Sequence, residues 1–246
     1  MLVLIYHLRK EVWQKIINME DARLWFPDPV SYDVKKLSSY VKTTIEKDIG
    51  RTYPNDARFA HEEGDGQQSL KRVLQWYAAY DATVNYCQGM SFVAALLLTQ
   101  LEEQEAYYCF VATMQKKALR TLYLPGLVDL MRKVFVFNKL VQVHLPNVHQ
   151  HMSAEGVEVG MFCTEWHMTL FSRAFDEELA CRTFEIFIFE GYKIVYRISL
   201  SLLKSLEKKI LKSNFEGIMS AIRALPDQVH TDKLLIDCFK WPIKRA

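Results

Sequence analysis

A chain of 246 residues that is 50% hydrophobic and 24% charged, with a net charge of +2, carries enough apolar surface for a folded core. The same near-neutral balance lacks the electrostatic footprint of a nucleic-acid binder and excludes nucleic acid as an expected partner. Five cysteines (Cys87, Cys109, Cys163, Cys181, Cys238) are scattered, odd in number and without a Cys-x-x-Cys pair, which argues against a disulfide framework and for a reducing compartment.

Met1 to Tyr6 is apolar, but no basic segment precedes it and His7-Leu8-Arg9-Lys10-Glu11 interrupts it, so neither a signal peptide nor a membrane span fits. The expected compartment is the cytoplasm. Arg9 and Trp13 then stand at i, i+4, where an arginine stacked on an indole makes a structural clamp. After Pro27 and Pro29, Thr43 to Arg51 reads as helix, with Pro54 beyond it placing Arg51 in the last turn. Gly64-Asp65-Gly66 reads as a turn. Leu70, Val73, Leu74 and Tyr77 follow at i, i+3, i+4, i+7, an apolar helix face.

Asn85 to Met90 is a junction before the apolar run Phe92 to Leu98, and Glu102 to Arg120 is again helical in composition. Pro125-Gly126, Pro146, Gly156 to Gly160, Gly191 and Pro226 mark further breaks. Phe184 to Phe189 is aromatic and β-branched but continues a helical pattern from Glu177. Ile198, Leu202, Leu206 and Ile210 form another stripe, with Lys204, Lys208, Lys209 and Lys212 on a solvated face. Without linker, repeat or low-complexity tract, the chain reads as one elongated all-α domain over residues 1–246, built of two packed helical lobes.

Two motifs carry chemistry. In Ile45-x-x-Asp48-x-x-Arg51, residues step three at a time, so Asp48 and Arg51 are helix neighbours and the carboxylate can orient the guanidinium. Alone, this is equally an ordinary surface ion pair. In Tyr86-Cys87-Gln88-Gly89-Met90, Gly89 permits φ > 0, Asn85 tolerates it, and Gln88 projects with donor and acceptor available. Alone, this is equally a polar cap before a buried helix.

In their order and company, Arg9-x-x-x-Trp13, Ile45-x-x-Asp48-x-x-Arg51-Thr52-Tyr53-Pro54 and Tyr86-Cys87-Gln88-Gly89-Met90 resemble the TBC-domain Rab GTPase-activating family. Leu70-x-x-Val73-Leu74-x-x-Tyr77-x-x-Tyr80, Trp166 to Phe171 and Phe184-Glu185-x-x-x-x-Glu190-Gly191 extend the likeness, from about residue 8 to residue 237. The resemblance implies an all-α fold and activation of GTP hydrolysis by a Rab protein through two inserted residues. Arg51 is then the arginine finger and Gln88 the residue that orients water. Asp48 and Tyr86 support them, and Arg9, Trp13, Ile45 and Gly89 are structural. An inserted arginine is worth roughly 10³ to 10⁵ in rate, because it stabilises charge developing on the transferred phosphoryl group.

The implied partner is a Rab-type GTPase in its GTP-bound form, acting in vesicle trafficking. Recruitment to endomembranes, and any peripheral membrane contact, comes through the partner or other recruiters. On this reading the chain is no enzyme by itself and has no cofactor, GTP and Mg²⁺ belonging to the partner. The alternative is a non-catalytic module that binds a GTPase or scaffold without stimulating hydrolysis. Three departures from the family pattern bear on this. Leu2 to Tyr6 stands where a Gly-x-Pro element is usual, Phe184-Glu185 replaces Trp-Asp, and no proline lies between Asp81 and Asn85. The last leads to the expectation of a less rigid loop under Gln88.

His144, His149 and His151 flank Pro146 in an expected loop without the helical spacing of a zinc site, and no metal is expected. No Gly-Lys-Ser/Thr follows Gly64-Asp65-Gly66, so the chain is not expected to bind nucleotide itself. Cys87 reads as a small packed residue.

Overall fold

The computed structural model describes residues 8–62, 64–225 and 229–243, and among these every regular element is helical. Met1 to Tyr6 and Pro226, both singled out in the sequence, lie outside the described residues. The chain divides into two compact units, Met1–Leu127 and Val128–Ala246.

The first unit contains α1 (Arg9–Ile16), α2 (Met19–Trp25), α3 (Ser39–Ile49), α4 (Asp65–Tyr80), α5 (Met90–Leu98) and α6 (Glu103–Lys116). α5 is apolar all round, and every residue from Met90 to Leu97 is buried. Such a helix is stable in water only when neighbours cover it, and α3, α4 and α6 pack on it. The predicted α4 face is the one that turns inward: Leu70, Val73, Leu74 and Tyr77 are fully buried. Each such side chain contributes about 2 kcal/mol by leaving water. α3 starts where Ser38 accepts a hydrogen bond from the Val41 N–H at 3.3 Å, and α6 starts on a reciprocal Glu102/Glu105 capping box.

Two stretches flanking α4 and α6 differ from the sequence reading. The stretch from Glu102 does not run helically to Arg120: α6 stops at Lys116, Ala118 takes a left-handed conformation (φ 56°), and Leu119–Tyr123 forms a short 3-10 helix. No glycine or proline announces this turn. Burial of Leu119, Leu122 and Tyr123 offsets the cost of a left-handed alanine.

Gly64-Asp65-Gly66 is the other. Asp65 opens α4 and Gly66 is already helical. A β-carbon on Gly66 would lie 2.0 Å from the Arg58 carbonyl oxygen, so the segment after Arg51 passes directly against the helix backbone. Gln67 clasps the same segment, its side-chain amide donating to the Phe59 carbonyl at 2.7 Å. Gly66→Ala must push the segment off α4 although alanine is the better helix former. The expected net loss is about 1–3 kcal/mol, an overpacking cost, read as a lowered thermal midpoint. An unchanged or raised midpoint would show that the segment yields freely.

The second unit contains α7 (Val128–His144), α8 (Pro146–Ala154), α9 (Gly160–Thr169), α10 (Glu177–Glu190), α11 (Lys193–Ile210), α12 (Phe215–Arg223) and α13 (Thr231–Cys238). α11 is its axis. Ile198, Leu202, Leu206 and Ile210 are buried as the stripe predicted, and α7 to α10, α12 and α13 all pack on this helix. The lysines at 204, 208, 209 and 212 stand exposed. Around Pro146 there is no loop: Leu145 alone joins α7 to α8, because proline suits a first helical position. His149 bonds Asn138 at 3.2 Å, His151 bonds the Ser213 carbonyl at 2.8 Å, and His144 packs edge-on against Trp241.

His167 of α9 is fully buried among the rings of Phe137, Tyr192 and Tyr196. Desolvation, aided by Lys133, lowers its pKa to about 3. The imidazole is therefore neutral in the fold but takes up a proton in the unfolded chain below pH 6.5. Stability conferred by this unit falls as the pH drops from 6.5 toward 3, by about 1.4 kcal/mol per unit. In urea titrations at pH 7 and pH 5, His167→Phe should shrink the difference in unfolding free energy by roughly 2 kcal/mol. An equal difference in both proteins would remove His167 from the acid limb.

Candidate functional site

The site is organised by one buried carboxylate. Asp48 is on the last turn of α3 and is fully buried, a position that carries a heavy penalty unless its charge is hydrogen-bonded. Its Oδ1 accepts from the Arg51 Nε at 2.7 Å. Its Oδ2 accepts from the Gly89 N–H at 2.9 Å, the Ser91 hydroxyl at 3.1 Å and, in a short contact, the Tyr86 hydroxyl. The Thr52 hydroxyl lies 2.7 Å from the Asp48 carbonyl and 2.8 Å from the Ser91 oxygen, and donates its one proton to either.

α3 and the segment leading into α5 are thereby joined at two oxygens. Burial first, and then the neighbouring Asp48 charge, push the Tyr86 hydroxyl well above its ordinary range, so it remains a donor.

Arg51 lies two residues past the end of α3 rather than in its last turn. The helix tightens there: the Arg51 N–H bonds the Asp48 carbonyl at 3.2 Å and the Thr52 N–H bonds that of Ile49 at 2.9 Å, both three-residue steps. Tyr53 then adopts φ 49°, left-handed, with its ring edge-on to Phe59 and Phe92. Arg51 is thus displayed at a chain reversal. Its side chain is 52% exposed although its Nε is fixed to a carboxylate 1% exposed. The two terminal nitrogens make no hydrogen bond among the described residues and face outward.

Gln88 is presented similarly. Gly89 has φ 99° and Asn85 φ 59°, the two left-handed positions the sequence marked. Between them Tyr86 reaches inward while Gln88 is exposed and forms no side-chain hydrogen bond among the described residues. Its neighbour Gly89 is bonded to the same Asp48 that holds Arg51.

The loop below Gln88 is not the slack element that its missing proline suggested. Asp81, 7% exposed, accepts from Arg120 Nε (2.5 Å) and Nη2 (3.0 Å), from the Tyr77 hydroxyl (3.1 Å) and from the Val84 N–H (3.2 Å). The Asn85 N–H adds a bond to the Asp81 carbonyl at 2.6 Å. Ionic and hydrogen-bonded anchoring here does what a fixed proline φ would do.

Arg9, Trp13 and Ile45 are buried in the first unit, away from solvent. Burial first, then the Asp48 charge, raise the Cys87 thiol, opposite to the requirement for a nucleophile. Sequence reading gave no role to Thr52, Ser91, Asp81 or Arg120. Arg120 alone left a signal, a lone cation inside the apolar stretch Leu119 to Tyr123.

The arrangement offers an anchored, outward guanidinium and an outward carboxamide, referred to one carboxylate. Together they present positive charge and a paired donor and acceptor to whatever docks.

Residues 6–211 match the model of the Rab-GTPase-TBC domain family. The chain is 33% identical over 233 residues to the human ecotropic viral integration site 5 protein homolog, covering 94% of this chain and 28% of that protein. It is 32% identical over 228 residues to the Rab GTPase-activating protein tbc-11 of Caenorhabditis elegans, covering 92% and 24%. It therefore spans about a quarter of the length of these curated relatives.

The crystal structure of the Chlamydomonas flagellar RabGAP TBC domain superposes with a TM-score of 0.83 at 27% identity, over 96% of this chain and 80% of that one. The Ypt/Rab-GAP domain of Gyp1p has the same fold, with a TM-score of 0.80 at 19% identity over 96% and 88%. With these matches over nearly its whole length, the chain belongs to the Rab-GTPase-TBC domain family.

Proposed function

We propose that this chain is a GTPase-activating protein that accelerates GTP hydrolysis by a Rab-family GTPase in vesicle trafficking, inserting Arg51 and Gln88 beside the partner's nucleotide. The observation that supports it best is the shared anchor: Asp48 bonds Arg51 through Oδ1 and the residue after Gln88 through Oδ2, with both side chains outward. Preorganised groups accelerate reactions because their orientation is set before charge develops, so no reorganisation is needed in the transition state.

Arg51 would place its terminal nitrogens against the developing phosphoryl charge, and Gln88 would orient the attacking water. The bound GTP and Mg²⁺ belong to the partner, which must be in its GTP form to offer a substrate. This chain supplies side chains in trans and performs no turnover alone. It acts from the cytoplasm and reaches endomembranes through that partner or other recruiters; among the described residues no helix is long and apolar enough to cross a membrane.

The experiment is single-turnover GTP hydrolysis across a panel of purified Rab proteins. At least one Rab should be strongly accelerated by the wild type and barely by Arg51→Ala or Gln88→Ala. Binding to a GTP-loaded Rab with no acceleration would instead identify a non-catalytic module.

A further inference from the structure

We propose that Arg120 is a positioning residue for Gln88, acting through Asp81 on the loop that carries the glutamine. The inference rests on the functional reading above for its kinetic consequence, and on loop geometry for the rest. The segment 81–89 is pinned at two carboxylates. Asp48 holds its far end at Gly89, and Asp81 holds its near end.

Both oxygens of Asp81 do double duty. Oδ2 accepts Arg120 Nε and the Tyr77 hydroxyl, while Oδ1 accepts Arg120 Nη2 and the Val84 N–H. Arg120 thus fixes the plane of the carboxylate, and that plane fixes Val84, three residues from Asp81 and four from Gln88. A fork of two parallel bonds sets orientation in a way a single ammonium cannot.

Its mount is rigid. Arg120 projects from the 3-10 helix Leu119–Tyr123, whose Leu119, Leu122 and Tyr123 are buried. Around Ala82 and Thr83, which are exposed, the near half of the loop is held by Asp81 and by burial of Val84, and residues 81–88 contain neither proline nor glycine. Burial pushes the Asp81 pKa up, but bonds from Arg120, Val84 and Tyr77 outweigh it, and the carboxyl stays below its ordinary value and charged. Among the described residues Arg120 makes no hydrogen bond or ion pair to Asp48, Arg51 or Gln88, so its influence on the finger travels through the loop.

An ion pair that served only global stability would behave differently, which defines the test. Amide exchange is measured on the chain alone, and single-turnover hydrolysis on an accelerated Rab, for Arg120→Ala and Arg120→Lys. In Arg120→Ala the Val84 and Asn85 amides should exchange at least about tenfold faster, while those of α3 keep wild-type rates. The maximal accelerated rate should fall roughly 10- to 100-fold, with the half-saturating GTPase concentration shifted less than about threefold. Arg120→Lys, which keeps the charge and loses the fork, should lie between, and supplies the same readouts if the alanine variant fails to fold.

The separating measurement is a double-mutant comparison. Arg120→Ala should cost nothing further in a Gln88→Ala background and its full factor in an Arg51→Ala background. Unchanged exchange at Val84 and Asn85, or equal losses in both backgrounds, would overturn the proposal. Faster exchange at those two amides with no Rab accelerated by the wild type would sink the functional reading and support the positioning of the loop.

Discussion

Arg51→Ala and Gln88→Ala are each expected to lower the maximal accelerated rate of GTP hydrolysis by roughly 10³-fold. The magnitude follows from what each group supplies. A cation placed at the developing phosphoryl charge in a water-excluded interface lowers the barrier by about 4 kcal/mol, which is the same factor of roughly 10³.

Neither change should unfold the chain. Arg51 is 52% exposed and Gln88 is exposed, so each truncation removes little packing. Both variants should still bind a GTP-loaded partner. On the proposed mechanism, what they should lose is the expected gain in affinity for the complex of GDP with a planar phosphate mimic, because that mechanism has the two groups act on the transition state and not on the ground state. Wild-type affinity equal for GDP alone and for the mimic complex would rule out this mechanism.

Asp48→Ala is expected to damage both fold and activity. It strips the acceptor from the Gly89 N–H, the Ser91 hydroxyl and the Tyr86 hydroxyl, all held in or near the buried junction of α3 and α5. Removing one partner from such a network costs about 3–5 kcal/mol, because the remaining polar groups stay buried without the water they would otherwise bind. For a chain of this size that lowers a thermal midpoint by roughly 10 °C.

Asp48→Asn separates the two roles. Its oxygen can still accept from Gly89 and Tyr86, so less than half of the stability loss is expected. Its NH₂, in place of Oδ1, faces another donor at Arg51 Nε and releases the guanidinium. Stimulation by Asp48→Asn should therefore fall nearly as far as with Arg51→Ala while the protein remains folded. Wild-type stimulation by a folded Asp48→Asn would show that the arginine needs no carboxylate to aim it.

Much of this was legible in the sequence because it depends on local spacing. The α4 stripe from Leu70 to Tyr77 and the α11 stripe from Ile198 to Ile210 bury the residues that a 3.6-residue period demands. Gly89 and Asn85 take the left-handed conformations their chemistry allows. Arg51 was displaced from the expected last turn because the helix end tightened into three-residue bonds, which depend on the buried Asp48 and Thr52 rather than on any local signal. The role of Asp81 was hidden by distance. Its partner Arg120 is 39 residues away, and reaches it through a left-handed Ala118 that propensity would never choose.

By itself, then, the sequence determined an all-helical chain, the candidates Arg51 and Gln88, and the turn residues around them. These follow from periodicity, from glycine and asparagine stereochemistry, and from a motif order that short-range chemistry preserves. Only the tertiary structure decided that one carboxylate holds both elements, and that a second, clasped by Arg120, holds the loop between them. The reason is physical: burying a charge is costly unless several distant donors converge on it, and which donors converge is settled by packing, not by neighbours in the chain.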